Sequence, residues 1–359
     1  MKIIIRPAIF IILIISYLSL NGTIFKNEHV NIELKVDTLS RSELQFMFYN
    51  VENLFDTADD PHKVDNEFLP DGNKHWTYYR YKHKLNNIYK VIMAVGESNA
   101  PALVGLCEIE NRDVLDDLTL NTPLLKMDYS IVHHESPDQR GIDVALLYRD
   151  KYFKVLYEEA IGIKFEDNNR KKTRDILYVK GLVFKKDTLH VFVNHWPSRR
   201  GGQKQSDGSR MTVALKLKHK TDSILLANPN AKIIICGDFN DEPEDDSLQE
   251  GLMALPLEKK DTLSVLYNLS PMPHNNISGT LKYRGRWNVF DQFIVSEALL
   301  NEDKGVNTTF KDYIVFSDGF LLQPDEKYTG KQPFPTYRGV NYLGGFSDHL
   351  PVCLKLYAK

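Results

Sequence analysis

Cysteine is scarce in this chain. Cys107, Cys236 and Cys353 are spread over 359 residues, and an odd, dispersed set makes a poor disulfide framework. All three fall in or beside apolar strand-like runs and read as small buried hydrophobes. Net charge is also nearly absent. A formal −3 gives no global attraction to a polyanion, so binding nucleic acid would require a local basic patch. There is no internal repeat and no low-complexity linker. One long apolar run exists, residues 8–20, behind Lys2 and Arg6. It is short of the roughly 20 residues a membrane span needs, and no cysteine follows to carry a lipid. With Ser19, Asn21 and Gly22 after it, the run reads as a secretory signal peptide over 1–22, without an Ala-x-Ala pattern to fix the cleavage point. The expected location is therefore secreted or periplasmic, with no stable membrane insertion after signal removal.

The rest has the composition of a globular protein, 42% hydrophobic and 26% charged. Residues 23–43 read as a polar leader, and 44–359 as a single domain. Its most informative stretch is Ile233-Ile234-Ile235-Cys236-Gly237-Asp238-Phe239-Asn240-Asp241. The β-branched run is too short for a helix and reads as a strand buried on both faces. Asp238 and Asn240, two apart in an extended segment, can project from one side, an anionic acceptor beside a neutral donor. That pair suits a water held next to a phosphate oxygen; a strand ending in an Asx turn is the plainer reading of the same string. Four other runs share this grammar of an apolar strand ending on polar groups: Phe46 to Asn50, Leu103 to Glu108, His190 to Asn194-His195, and Ser347-Asp348-His349 leading into Leu350.

Between these runs, Tyr81, Leu85, Ile88, Ile92 and Val95 recur at helical spacing and predict a helix from Thr77. Short helices are expected at 112–120 and near 247–252, and a longer one from Gly208-Ser209 to about 227. Strands at 155–163, 176–184 and 189–194 have connections too short for crossover helices, so they should be antiparallel. One strand is expected over 287–295 and a last one over 350–356. This order fits a mixed α/β domain with two sheets packed face to face and covered by helices.

Taken in order from Leu44 to Leu356, these motifs resemble the endonuclease/exonuclease/phosphatase superfamily, which includes pancreatic-type deoxyribonucleases, abasic-site endonucleases, inositol polyphosphate 5-phosphatases and bacterial sphingomyelinases. Gly237-Asp238-Phe239-Asn240 followed by Ser347-Asp348-His349 is the most specific part of the likeness. The resemblance implies a four-layer α/β/β/α sandwich of two mixed, mainly antiparallel sheets, with the site at one edge. It also implies that Glu108 and Asp348 hold a divalent cation, Mg2+ or alternatively Mn2+, with Asn50 assisting. His195, Asn240 and Asn50 would contact the scissile phosphate, Asp291 would support His349, and Arg140 and a sheet-edge Tyr148 would lie nearby.

Chemically, a carboxylate such as Glu108 at the end of an apolar strand needs a partner, and a hard cation is a suitable one, as is a salt bridge. Imidazoles at His195 and His349 can take a proton from water or, when charged, bind a phosphoryl oxygen. The general base is left open between Asp238 and His349. His133, His134 and His274 are given no ligand role, and Trp76 and Trp196 read as buried aromatics before stacking platforms. The resulting expectation is an exported, metal-dependent phosphodiesterase acting on DNA or RNA, monomeric and without a protein partner. A phospholipase C-like or inositol-phosphate enzyme is the alternative, and a non-catalytic binding module the third reading. The basic groups expected near a polymeric substrate are Arg199, Arg200 and the run from Arg170 to Arg174.

Overall fold

The computed structural model describes residues 42–358, apart from 98, 167, 169, 257–265, 271–278 and 302–304. The signal-like segment, most of the leader and His274 lie outside the described residues. Residues 41–359 form one compact unit. In chain order it contains β1 (Ser42–Leu54), α1 (Tyr78–Gly96), β2 (Leu103–Ile109), α2 (Arg112–Leu120), β3 (Ser130–His133), β4 (Asp143–Tyr148), β5 (Phe153–Ile161), β6 (Ile176–Val183), β7 (Asp187–His195), α3 (Gln203–Ala227) and β8 (Lys232–Asp238). Short strands follow: β9 (Ala254–Pro256), β10 (Leu266–Asn268), β11 (Leu281–Tyr283) and β12 (Arg286–Asn288). The chain ends through β13 (Asp291–Ser296), β14 (Tyr313–Val315), β15 (Leu322–Pro324), β16 (Lys331–Pro333), β17 (Tyr337–Arg338), β18 (Asn341–Tyr342) and β19 (Val352–Ala358).

A six-stranded sheet, β14-β19-β1-β2-β4-β3, faces a seven-stranded one, β5-β6-β7-β8-β13-β10-β9. Period-two alternation divides each strand between two layers. Phe46 and Phe48 of β1 meet Val193, Ile234, Cys236 and Phe293 of the opposite sheet, whereas Met47, Tyr49 and Val51 pack under Leu85, Ile88 and Ile92 of α1. On the far side Ile233 and Ile235 of β8 meet Val213, Ala214 and Leu217 of α3. The architecture is the expected α/β/β/α sandwich. Each such side chain contributes about 1.5–3 kcal/mol by leaving water. The sheets approach so closely at Gly105 that a Cβ there would meet Phe48 at 3.1 Å and the Cys236 Sγ at 3.3 Å. The three cysteines are free and buried, and Trp76 and Trp196 are fully enclosed.

Some boundaries differ from the sequence reading. α3 begins at Gln203 rather than at Gly208, because the preceding turn ends on Gly201 and Gly202, at φ 85° and 118°, while Gly208 sits inside the helix. The strand expected over 287–295 is two strands, interrupted at Val289 and Phe290. Among the described residues no helix is long and apolar enough to cross a membrane.

What matters for the site is direction. β1 and β2 run parallel, as do β7 and β8, so Asn50, Glu108, His195 and Asp238 all arrive at strand C-termini on one edge. β13 is antiparallel to β8 with Asp291 opposite Asp238, and His349 stands just before β19.

Candidate active site

Two bulges aim the first residues. The β1–β2 register slips between Asn50 and Leu54, with Glu52 and Asn53 at φ 53° and 56°, and the β2–β4 register slips between Cys107 and Ile109, with Glu108 at φ 63°. An extra residue bends a strand and redirects a side chain, and a glutamate held in the left-handed region is strained on the order of 1 kcal/mol or more. The Glu108 Oε2 accepts the Asn53 N–H at 2.9 Å, and its Oε1 lies 3.4 Å from the Asn50 Nδ2 and 3.9 Å from the His195 Nε2.

Asp238 is the centre of the arrangement. Its Oδ1 accepts the Asn240 N–H at 2.9 Å and its Oδ2 accepts the Asn50 Nδ2 at 3.0 Å. The same Oδ2 faces the His195 Nε2 at 3.7 Å and the His349 Nε2 at 3.8 Å. Burial pushes the Asp238 carboxyl up to about 7; the His349 cation opposes that rise and the Asp291 charge reinforces it. Asn240 turns at φ 52°, a conformation asparagine tolerates, and donates its Nδ2 to the Trp196 carbonyl at 3.1 Å.

The two imidazoles differ in charge. The His349 Nδ1 meets the Asp291 Oδ2 at 2.7 Å. Burial alone would neutralise that ring, but Asp291 and then Asp238 outweigh it and hold its pKa well above the usual range. His195 goes the other way: burial, then the cations Arg174, Arg140 and His349, hold it well below the usual range, so it is neutral near pH 7. The site therefore carries one imidazolium, one neutral imidazole and a carboxylate between them.

Asp238, Asp291 and His349 place ligand-type atoms within 4.8 Å of one another. A histidine ligand must be unprotonated, however, and His349 is committed to its proton. Further carboxylates lie nearby. Glu52, not singled out by the sequence reading, is raised to about 7 by burial and by the charge of Asp348. Both its oxygens accept backbone N–H groups, from Tyr337 at 3.0 Å and Thr336 at 2.6 Å. Buried Lys84 donates to the Thr336 hydroxyl and the Phe346 carbonyl, and feels the charges of Glu52, Asp348 and Glu108. Glu108, part-buried, and exposed Asp348 offer carboxylate oxygens of the kind a hard divalent cation takes.

The Asn50 Oδ1 accepts the Glu52 N–H at 3.0 Å and keeps a second lone pair, while its amide joins Glu108 to Asp238. Two expectations need correction. Tyr148 is not at the site. β4 runs antiparallel to β2 and pairs Tyr148 with Leu103, which puts it about 17 Å of strand from Glu108, and Asp143 takes the near end. Arg174 of the basic run is not free for a polymeric substrate: it is buried, paired with Asp138 at 3.1 Å, and its guanidinium donates to the carbonyls of His195 and Trp196. Arg140 is beside the site as expected, half-exposed with its Nε 3.5 Å from Asp138.

Arg199 is likewise committed. Its Nε donates to the Asn240 carbonyl at 2.8 Å, its Nη2 reaches Asp241 at 3.0 Å and Asp245, and the guanidinium lies over the Phe290 ring at 4.7 Å. It positions Asn240, so Arg199→Ala should lower turnover of small and polymeric substrates alike, by about 10²-fold, the scale of a ~1 Å misplacement. Steady-state kinetics on both substrate types check this; a loss confined to the polymer would show instead that Arg199 contacts distant phosphates.

Comparison with known proteins bears on the fold and the family. The sequence profile described as the Endonuclease/Exonuclease/phosphatase family matches residues 45–358. Comparison with curated proteins gave no match. Among solved structures, the human Nocturnin catalytic domain with bound sulfate anion aligns at TM-score 0.52 and 15% identity, over 89% of this chain and 98% of that one. TDP2 from C. elegans aligns at 0.52 and 14%, over 88% and 75%. An endonuclease/exonuclease/phosphatase family protein from Bacteroides thetaiotaomicron aligns at 0.53 and 15%, over 89% and 99%. At such identities these likenesses speak for the fold, and the profile match over nearly the whole described unit speaks for descent: the chain belongs to the endonuclease/exonuclease/phosphatase family.

Proposed function

We propose that this protein is an exported phosphodiesterase that hydrolyses DNA or RNA by water attack on phosphorus, with Mg2+ as its metal. The observation that carries the reading is the meeting at Asp238 of Asn50, His195 and His349, with an imidazolium at His349 and a neutral imidazole at His195. Hydrolysis of a phosphodiester needs an oriented nucleophile, charge neutralisation on the phosphoryl oxygens and help for the leaving oxygen.

Asp238, raised to about 7, is the group able to take a proton from water near neutral pH. His349, kept charged by Asp291, cannot act as that base and instead offers its Nε2–H to a phosphoryl oxygen. The Asn240 amide, fixed by Trp196, and neutral His195 complete the oxygen contacts, with half-exposed Arg140 at the margin. Glu108 and Asp348 would hold the cation, which supplies Lewis-acid stabilisation of developing negative charge. Export rests on Lys2, Arg6 and the apolar residues 8–20.

The test is a substrate panel of plasmid DNA, RNA, bis-p-nitrophenyl phosphate, sphingomyelin and inositol phosphates, each with Mg2+, Mn2+ or chelator. Cleavage of nucleic acid and of the small diester, with kcat rising through about pH 7, is the expected result. Turnover of sphingomyelin or inositol phosphates with both nucleic acids untouched would overturn it.

A further inference from the structure

Of the basic groups that the sequence marks near His195, Arg174 and Arg199 are occupied, and another set of exposed arginines stands at the same edge. β11 and β12 pair antiparallel around Arg284 and Gly285. The base of this hairpin is joined to the catalytic residues themselves. Leu281 bridges His349, the Leu350 N–H donates to the Thr280 carbonyl at 2.7 Å, and the Thr280 hydroxyl accepts the N–H groups of Phe290 and Asp291 at 3.2 and 3.1 Å.

Residues 281–288 read Leu-Lys-Tyr-Arg-Gly-Arg-Trp-Asn, with three cations and no acid. Lys282 is neutralised by Asp325 at 2.8 Å and tied to the carbonyls of Thr329 and Lys331. Arg284 and Arg286 are exposed, and Tyr283 is 61% exposed. Glu242 is the acid that senses Arg286, and its carboxylate already accepts the Val289 N–H at 2.8 Å. At the tip both turn residues have positive φ, 50° at Arg284 and 82° at Gly285. Hairpin turns of that kind favour asparagine or aspartate in the first position. Here an arginine occupies it, with its guanidinium 5.2 Å from the Tyr283 ring centre.

We propose that this hairpin is a nucleic-acid contact, in which Arg284 and Arg286 bind backbone phosphates away from the scissile one and Tyr283 presents a ring face to a base. The proposal rests on the nuclease reading and assigns it a substrate-gripping element. Arg284 stands three residues beyond Leu281, about 10 Å along the strand from the His349 register, or about three phosphate steps at ~3.4 Å each. A polymer spans that interval and a small diester does not. Arginine forks suit phosphate oxygens, and stacking on an aromatic ring is indifferent to base identity.

The test uses the full chain carrying Arg284→Asn, which keeps a residue tolerant of positive φ, together with Arg286→Gln. Binding of a fluorescent single-stranded oligonucleotide is measured by anisotropy in EDTA over a salt titration, and kcat/KM is measured for bis-p-nitrophenyl phosphate. We expect affinity at low salt to fall about tenfold and the salt slope to shrink by about 1–2, with small-diester turnover unchanged. Wild-type affinity and slope in the variant would overturn the proposal. So would a variant that loses binding to phosphatidylserine vesicles but keeps its grip on the oligonucleotide. A wild type whose oligonucleotide binding depends on the hairpin but which hydrolyses no diester would sink the nuclease reading while leaving the hairpin contact established.

Discussion

Replacing Asp238 with asparagine lowers kcat for a small phosphodiester by about 10³-fold, within the 10²–10⁴ range of general-base catalysis, and leaves the protein folded. The carboxylate is buried, accepts from Asn50 and Asn240, and faces both imidazoles. Asparagine keeps the volume but removes the charge and one acceptor. The sign of the stability change follows from the raised pKa. An acid whose folded pKa lies near 7, above its unfolded value, costs stability as pH rises from the unfolded pKa through the folded one. The variant is spared that cost, so at pH 8 its Tm should not fall below that of the wild type. The wild-type acid limb near pH 7 should also disappear from the kcat profile. Turnover within tenfold of wild type would remove Asp238 from the role of base.

The second large effect concerns the cation. Chelation with EDTA should abolish turnover, and Glu108→Gln should raise the Mg2+ concentration for half-maximal activity by a factor of about 100 or more, at or above the top of the roughly 10–100-fold losses from outer-sphere groups. A readout independent of catalysis is available, because a ligand that binds only the folded state stabilises it by about 2.7 kcal/mol at 100 times its Kd. Mg2+ should therefore raise the Tm of the wild type and leave that of Glu108→Gln nearly unchanged. The Asn53 N–H retains the amide oxygen as acceptor in the variant, so misfolding is not the expected cause. Activity that persists in EDTA, or an unaltered Mg2+ requirement in the variant, would refute the assignment.

Much of this could be read from residues. Ile233 to Cys236 announced a doubly buried strand, with Asp238 and Asn240 at its polar end, because burial and β-branching leave few other readings for such a run. α1 followed from the spacing of Tyr81, Leu85, Ile88, Ile92 and Val95, all of them buried. What stayed hidden depends on partners distant in sequence. Tyr148 was misplaced because strand content does not reveal whether β4 runs with or against β2. Arg174 looked like one of a run of loop cations because Asp138, which draws it inward, lies 36 residues away. The positive φ of Glu108 has no composition signal at all, and β11, β12 and β15 to β18 are each three residues or fewer, too short for any period to register.

The pairing of the first strand with the last has its own bearing on how such an enzyme is made. β1 lies between β19 and β2, with Ser42 opposite Ala358. During synthesis β1 has one flank without its neighbour until β19 has been made, and Asp348 and His349 arrive only just before that strand. A chain cut short before Asp348 lacks His349 and the strand that covers β1 together, so one late stretch completes both the sheet and the edge where Asp238 and Asp291 stand.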